Sequence, residues 1–208
     1  VTGGSSGIGL ATVRLLLEAL ESGRVRPAEL TVAQVQGLRS HGDLELRQRA
    51  QRLLGAGAAT RAEALTVALK ALDLRGVSER GRTVFEQQCA NCHRLGGVGH
   101  ALGPDLETVR SQPPEKLLVA IVDPNREVAP SSFAATVETR DGESVTGVVV
   151  RDDAAGVVLR QAGGITVEIP RDRVVKAGTG GQSLMPEGFE ATMKPQELAD
   201  LLALILGR

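Results

Sequence analysis

Both cysteines of this chain stand in one stretch, FEQQCANCHRLGG at residues 85–97, and His93 directly follows the second. Cys89 and Cys92 are three positions apart, so their thiols emerge from one turn of chain. The C-x-x-C-H pattern is the attachment signature of c-type haem. Each sulfur adds to a vinyl group of a haem lying edge-on to the turn, and the imidazole of His93 is held beneath the iron. Two other uses of such a pair are weaker. A redox C-x-x-C sits between a strand and a helix in a βαβ pattern, and the surrounding sequence offers none. A zinc site needs more ligands, and only His41 and His100 remain as further imidazoles, His41 in what reads as a helix turn.

The 208 residues suffice for one or two domains. Lys and Arg are spread throughout and the formal net charge is −1, so there is no basic stripe to bind nucleic acid. With no Tyr and no Trp, mechanisms that need a catalytic tyrosine are excluded. No apolar run reaches the roughly 18 residues of a membrane span. The chain starts at Val1 without Met and without a basic-then-apolar leader. Haem attachment normally takes place outside the cytoplasm, so the expectation is the C-terminal piece of a longer exported protein, periplasmic or otherwise exported.

Apolar periodicity predicts helices through residues 6–72. The first carries Ile8, Leu10, Val13, Leu16, Leu17 and Leu20 and ends near Gly23. A second follows Pro27 with Leu30, Val32, Val35 and Leu38. A third runs from about Asp43 to Leu54, with Leu44, Leu46, Ala50, Leu53 and Leu54 able to share a face, and a fourth covers Arg61 to Leu72. LRSHGDLELRQRAQRLLG resembles a HEAT-type repeat unit. SERGRTVFEQQ reads as a short amphipathic helix with Ser78 as N-cap, and PPEKLLVAIVD as a helix with Pro in its first turn. Residues 132–176 are rich in Val, Thr and Ile, with turns at Asp141-Gly142, Ala155-Gly156 and Gly163-Gly164. They predict four short strands, a fifth at Arg173 to Lys176, and a small barrel or curled sheet. A loop, GTGGQSLMPEGFEATM, precedes the final helix KPQELADLLALIL. The fold class expected is mainly α with a small antiparallel β insert. Its two parts are a helical, repeat-like segment at 1–76 and a monohaem domain at 77–208, with the insert at about 132–176.

The iron has two axial positions and His93 fills one. In GPDL, ten residues after His93, the Pro104 carbonyl can accept the Nδ1–H of His93, which fixes the tautomer and raises ligand basicity. For the second position the candidates are Met185, Met193, His100 and His41. Met185 stands in SLMPEG, where Pro186 stops a helix from forming and Glu187-Gly188 permit a turn. The plain reading of Met193, beside the last helix, is core packing.

From about Gly81 to Leu206 the chain resembles a class I-type cytochrome c domain. It more closely resembles the haem-binding domain at the C-terminus of large planctomycete and verrucomicrobial multidomain proteins. The matching pieces are GRTVFEQQCANCHRLGGVGHALGPDL, LLVAIVDPNREVAP, the β-rich insert and SLMPEGFEATMKPQELADLLALI. The resemblance implies one covalent haem c on Cys89 and Cys92, with His93 and Met185 axial. It implies an insert that leaves the haem fold intact and helical repeats ahead of the domain. Where the family often has Tyr in the last helix this chain has Leu204.

VTGGSSGIGLAT resembles the nucleotide loop of short-chain dehydrogenases, which needs a strand before it, a sheet after it and a catalytic Tyr. Only Val1 precedes it, and the chain has no Tyr, so Gly3 to Gly9 read as a helix lead-in. Three functions are then in view. One is a single-electron carrier that accepts electrons from a redox partner protein or fused dehydrogenase domain, an electron-transfer module rather than a catalyst. Another is a haem sensor with an open sixth position. The third is a mainly structural role.

Overall fold

The computed structural model describes residues 10–25, 29–30, 32–39, 43–54 and 61–208. The Gly3–Gly9 lead-in and His41 lie outside them. Three helices come first: α1 (Leu10–Glu21), α2 (Val32–Arg39) and α3 (Leu44–Leu54). Val13, Leu17, Leu20, Leu30, Val35, Leu38, Leu46 and Ala50 close one buried cluster between them. Asp43 starts α3 as its N-cap, its Oδ1 accepting from the Glu45 and Leu46 N–H groups at 2.9 and 3.2 Å. Arg49 on α3 donates two bonds to Glu21 on α1. Leu44, expected on the apolar face, is 57% exposed instead. Its place in the first turn puts it ahead of the buried pair Leu46 and Ala50.

α4 (Arg61–Leu69) runs into a 3-10 turn, Lys70–Asp73, and its Ala64, Leu65 and Ala68 join a different core. That core also takes side chains from α5 (Ser78–Gln88), α6 (Pro114–Val122), α7 (Phe189–Thr192) and α8 (Pro195–Leu206). Its apolar packing therefore crosses residue 76. α5 and α8 cross closely. A Cβ at Gly81 would lie 2.1 Å from the Asp200 carbonyl oxygen, and one at Gly76 would lie 2.2 Å from that of Ala199. Leu204 packs at the same crossing.

The start of α5 corrects the capping expectation. Ser78 is already helical, Val77 holds the cap position, and no side chain on the same strand of chain caps it. The partner comes from α8: the Val77 N–H donates to Asp200 Oδ1 at 2.8 Å. Burial alone would raise the Asp200 carboxyl. The two-pronged Arg80 contact, the Val77 N–H and Gln196 together outweigh it and hold the group below its ordinary value.

Between α6 and α7 lies a five-stranded antiparallel sheet, larger than the small insertion expected. Its strands are β3 (Phe133–Thr139), β4 (Ser144–Asp152), β5 (Gly156–Arg160), β6 (Thr166–Pro170) and β7 (Val174–Ser183), in the order β6-β5-β4-β3-β7. A two-stranded hairpin, β1 (Arg94–Leu95) and β2 (Val98–Gly99), precedes it. β3 to β6 form a meander, and β7 returns to the free side of β3, so β6 and β7 are the edges of an open sheet. Ala135, Val137, Val157, Leu159 and Ile169 give the sheet a core of its own. The sheet reaches seven residues beyond the predicted end at 176. β7 is Gly-rich and almost wholly exposed, so alternation of apolar residues does not mark it. Backbone pairing to β3, with two register shifts, makes it a strand. Asp152 and Asp153 lie at the β4–β5 turn, where Asp153 Oδ1 accepts from the Ala155 N–H at 2.9 Å.

Candidate functional site

α5 ends by turning into the Cys-Ala-Asn-Cys-His segment. Cys89 and Ala90 both donate their N–H to the Phe85 carbonyl at 2.8 Å, and Cys92 and His93 donate to that of Cys89 at 3.0 and 2.8 Å. The turn is folded back by β1 and β2. Arg94 pairs with Gly99 across a two-residue turn in which Gly96 and Gly97 have φ of 59° and 81°, the conformation that tight hairpins demand. The returning chain closes on the motif, with the His100 N–H on the Ala90 carbonyl and the Leu102 and Gly103 N–H groups on that of Cys92.

His93 is held from two sides. Its Nδ1–H donates to the Pro104 carbonyl at 2.9 Å. Gly103 lies against the ring, and a Cβ there would be 2.4 Å from Cε1. Burial lowers the basicity of His93, and the Pro104 bond offsets this only in part. A neutral ring with its proton on Nδ1 leaves the Nε2 lone pair for a metal. Asp105 then bridges the loop to the next turn, accepting from Arg94 Nε and from the Glu107 N–H, both at 3.0 Å.

The two cysteines are free thiols. Burial pushes Cys89 up to about 12, with Cys92 adding to the effect, and burial raises Cys92 as well. Among the described residues no group of three His, Cys, Asp or Glu side chains could hold a metal ion. One residue before Cys89, Gln88 on the inner side of α5 has a buried Oε1 with no hydrogen-bond partner. Two adjacent thiols, an oriented imidazole, a glycine flattened against it and an orphaned amide oxygen fit a haem held by Cys89, Cys92 and His93.

The other candidates are separated by the fold. Met185 is half-buried on the stretch between β7 and α7 and packs against the same core as Cys89. Met193 is 4% exposed and belongs to that core outright. His100 is exposed, and its ring abuts Gly164 in the β5–β6 turn. The sheet touches the motif directly. The Gly163 N–H donates to the Asn91 carbonyl at 2.8 Å, and Arg160 donates to that of Ala101 at 2.8 Å. No sequence pattern pointed to Arg160. The paired glycines signalled a turn but not what the turn would meet.

Residues 78–144 match the family model for Cytochrome c. No curated protein matches the chain. A cytochrome c domain is therefore present, with haem c bound covalently as its cofactor and electron transfer as its chemistry. The match runs from α5 through the motif and α6 into the sheet and stops before Met185. Among the described residues no helix is long and apolar enough to cross a membrane.

Gly103 provides a test of how His93 is held. Gly103→Val is expected to push the ring off its Pro104 bond and to lower the yield of matured protein with an iron–imidazole spectrum. Unchanged yield and spectrum would mean that the loop gives way and the ring does not.

Proposed function

We propose that this chain is a single-electron carrier in which Met185 takes the second axial position opposite His93. The observation that carries this reading is the contrast between the two methionines. Met185 is half-buried on a short irregular stretch against the haem-side core, while Met193 is consumed by packing. When bound, the haem supplies one iron that alternates between two oxidation states. The chain's part is to hold it, exclude water and set its potential through the sulfur ligand and burial. Pro104 keeps the His93 proton on Nδ1, and Met185 as the second ligand would keep small molecules from the iron.

In this reading the domain is the C-terminal electron-accepting module of a larger exported oxidoreductase, periplasmic, of the planctomycete and verrucomicrobial type. It receives electrons from a fused dehydrogenase domain or a separate redox protein. A HEAT-like helical segment at 1–76, with α1 to α4, stands ahead of it, and the haem domain occupies 77–208, with α4 packed against its core.

An optical spectrum of the matured protein tests the ligand. The ferric form should show the weak far-red absorbance of a sulfur–iron bond. Met185→Ala should remove that band, lower the potential and let the ferrous form bind carbon monoxide. Met193→Ala should leave the band in place and cost about 2–5 kcal/mol of stability as a core truncation. Ready carbon monoxide binding by the wild type would favour the open-haem sensor instead, and a band lost only in Met193→Ala would make Met193 the sulfur ligand.

A further inference from the structure

The stretch carrying Met185 is fastened by a residue that is not itself a haem-ligand candidate. Asn125 lies just past α6. Its Nδ2–H donates to Glu187 Oε1 at 2.8 Å, and its Oδ1 accepts the Ser183 N–H at 2.9 Å. Ser183 Oγ in turn accepts the Met185 N–H at 3.0 Å. One side chain thus grips the chain two residues before Met185 and two residues after it. On the far side, Arg61 at the start of α4 backs the same carboxylate. Its Nε is 3.5 Å from Glu187 Oε2, and it also donates to the Val122 carbonyl and to Glu190, both at 3.2 Å. The ends of the stretch are set as well, since Ser183 pairs with Phe133 and Gly188 has a φ of 105°.

Asparagine suits this position because one planar group carries both a donor and an acceptor. Aspartate would keep the acceptor for Ser183 but set a second carboxylate against Glu187. Leucine would offer neither. We propose that Asn125 is a positioning residue: with Glu187 it clamps the Met185 stretch so that the thioether is presented to the haem face. This rests on Met185 being the axial ligand.

The test uses the full chain matured with haem. Asn125→Asp is expected to weaken the far-red sulfur–iron band and to raise carbon monoxide uptake by the ferrous form about tenfold, the effect of losing ordinary hydrogen bonds from the closed state. Adding Glu187→Gln to that variant rebuilds the pair with donor and acceptor exchanged, and both readings should return to wild-type values. Amide exchange across residues 184–187, followed by mass spectrometry, should accelerate in Asn125→Asp and slow again in the double variant. A band and carbon monoxide uptake unmoved by Asn125→Asp, or a double variant without rescue, would overturn the clamp. Met185→Ala measured alongside separates the two ideas. If it alters the spectrum while Asn125→Asp does not, only the clamp fails. If it alters nothing, the axial reading fails and the clamp with it.

Discussion

Changing Cys89 and Cys92 together to alanine is expected to abolish all haem that survives acid–acetone extraction. Each thiol sits within one turn of the other, and His93 and Cys92 both bond back to Cys89, so no other sulfur is positioned to replace them. The chain has only these two cysteines. Single changes should leave one thioether and reduced, not absent, covalent retention. The effect extends to folding. A group that binds only the native state adds about 2.7 kcal/mol when present at a hundredfold over its dissociation constant, and a covalent link holds it at high effective concentration. The double variant should therefore show poor order between residues 81 and 130, read by amide exchange. Extraction-resistant haem in that variant would overturn the assignment.

What the sequence displayed and what it hid divide along a physical line. Local chemistry was legible. The C-x-x-C-H turn needs only neighbouring residues, and the Pro104 carbonyl lies close enough in sequence for its bond to His93 to be anticipated from GPDL. Helices α1, α5, α6 and α8 could be read from the spacing of Leu17, Phe85, Leu118 and Leu201, each buried at 2% exposure or less. Contacts between distant segments were not legible. Ser78 has the composition of a cap, yet Val77 is capped by Asp200 from more than a hundred residues away. β7 has no apolar alternation and exists because β3 has a free edge. The sheet looked like a self-contained insertion, and its core is indeed separate, but Gly163 and Arg160 reach the haem loop. Asn125 falls in the LLVAIVDPNREVAP stretch, but nothing local shows its task, since its partners are Ser183 and Glu187 on the other side of the sheet in sequence.

The glycines of α5 and α2 give a prediction in which propensity and packing oppose each other. A glycine inside a helix costs about 1 kcal/mol relative to alanine, so Gly81→Ala and Gly37→Ala would both stabilise the protein if propensity decided. The surroundings differ. Nothing lies within 4 Å of a Cβ at Gly37, whereas one at Gly81 would sit 2.1 Å from the Asp200 carbonyl oxygen and 2.7 Å from its carbon. Those atoms belong to the backbone of α8 and cannot swing aside as a side-chain tip can. Accommodating the methyl means parting α5 from α8, which loosens Val84, Phe85, Leu201 and Leu202 in the same core and strains the Val77–Asp200 cap. Overpacking of this kind costs about 1–3 kcal/mol or more, so packing wins at Gly81 and propensity wins at Gly37. Gly81→Ala should lower the midpoint of urea unfolding by a net loss of about 1 kcal/mol, and Gly81→Val by more, with haem yield falling because α5 leads directly into Cys89. Gly37→Ala should raise stability by up to about 1 kcal/mol and leave the haem spectrum alone. A stabilising Gly81→Ala would mean that the two helices stand farther apart than the structure has them.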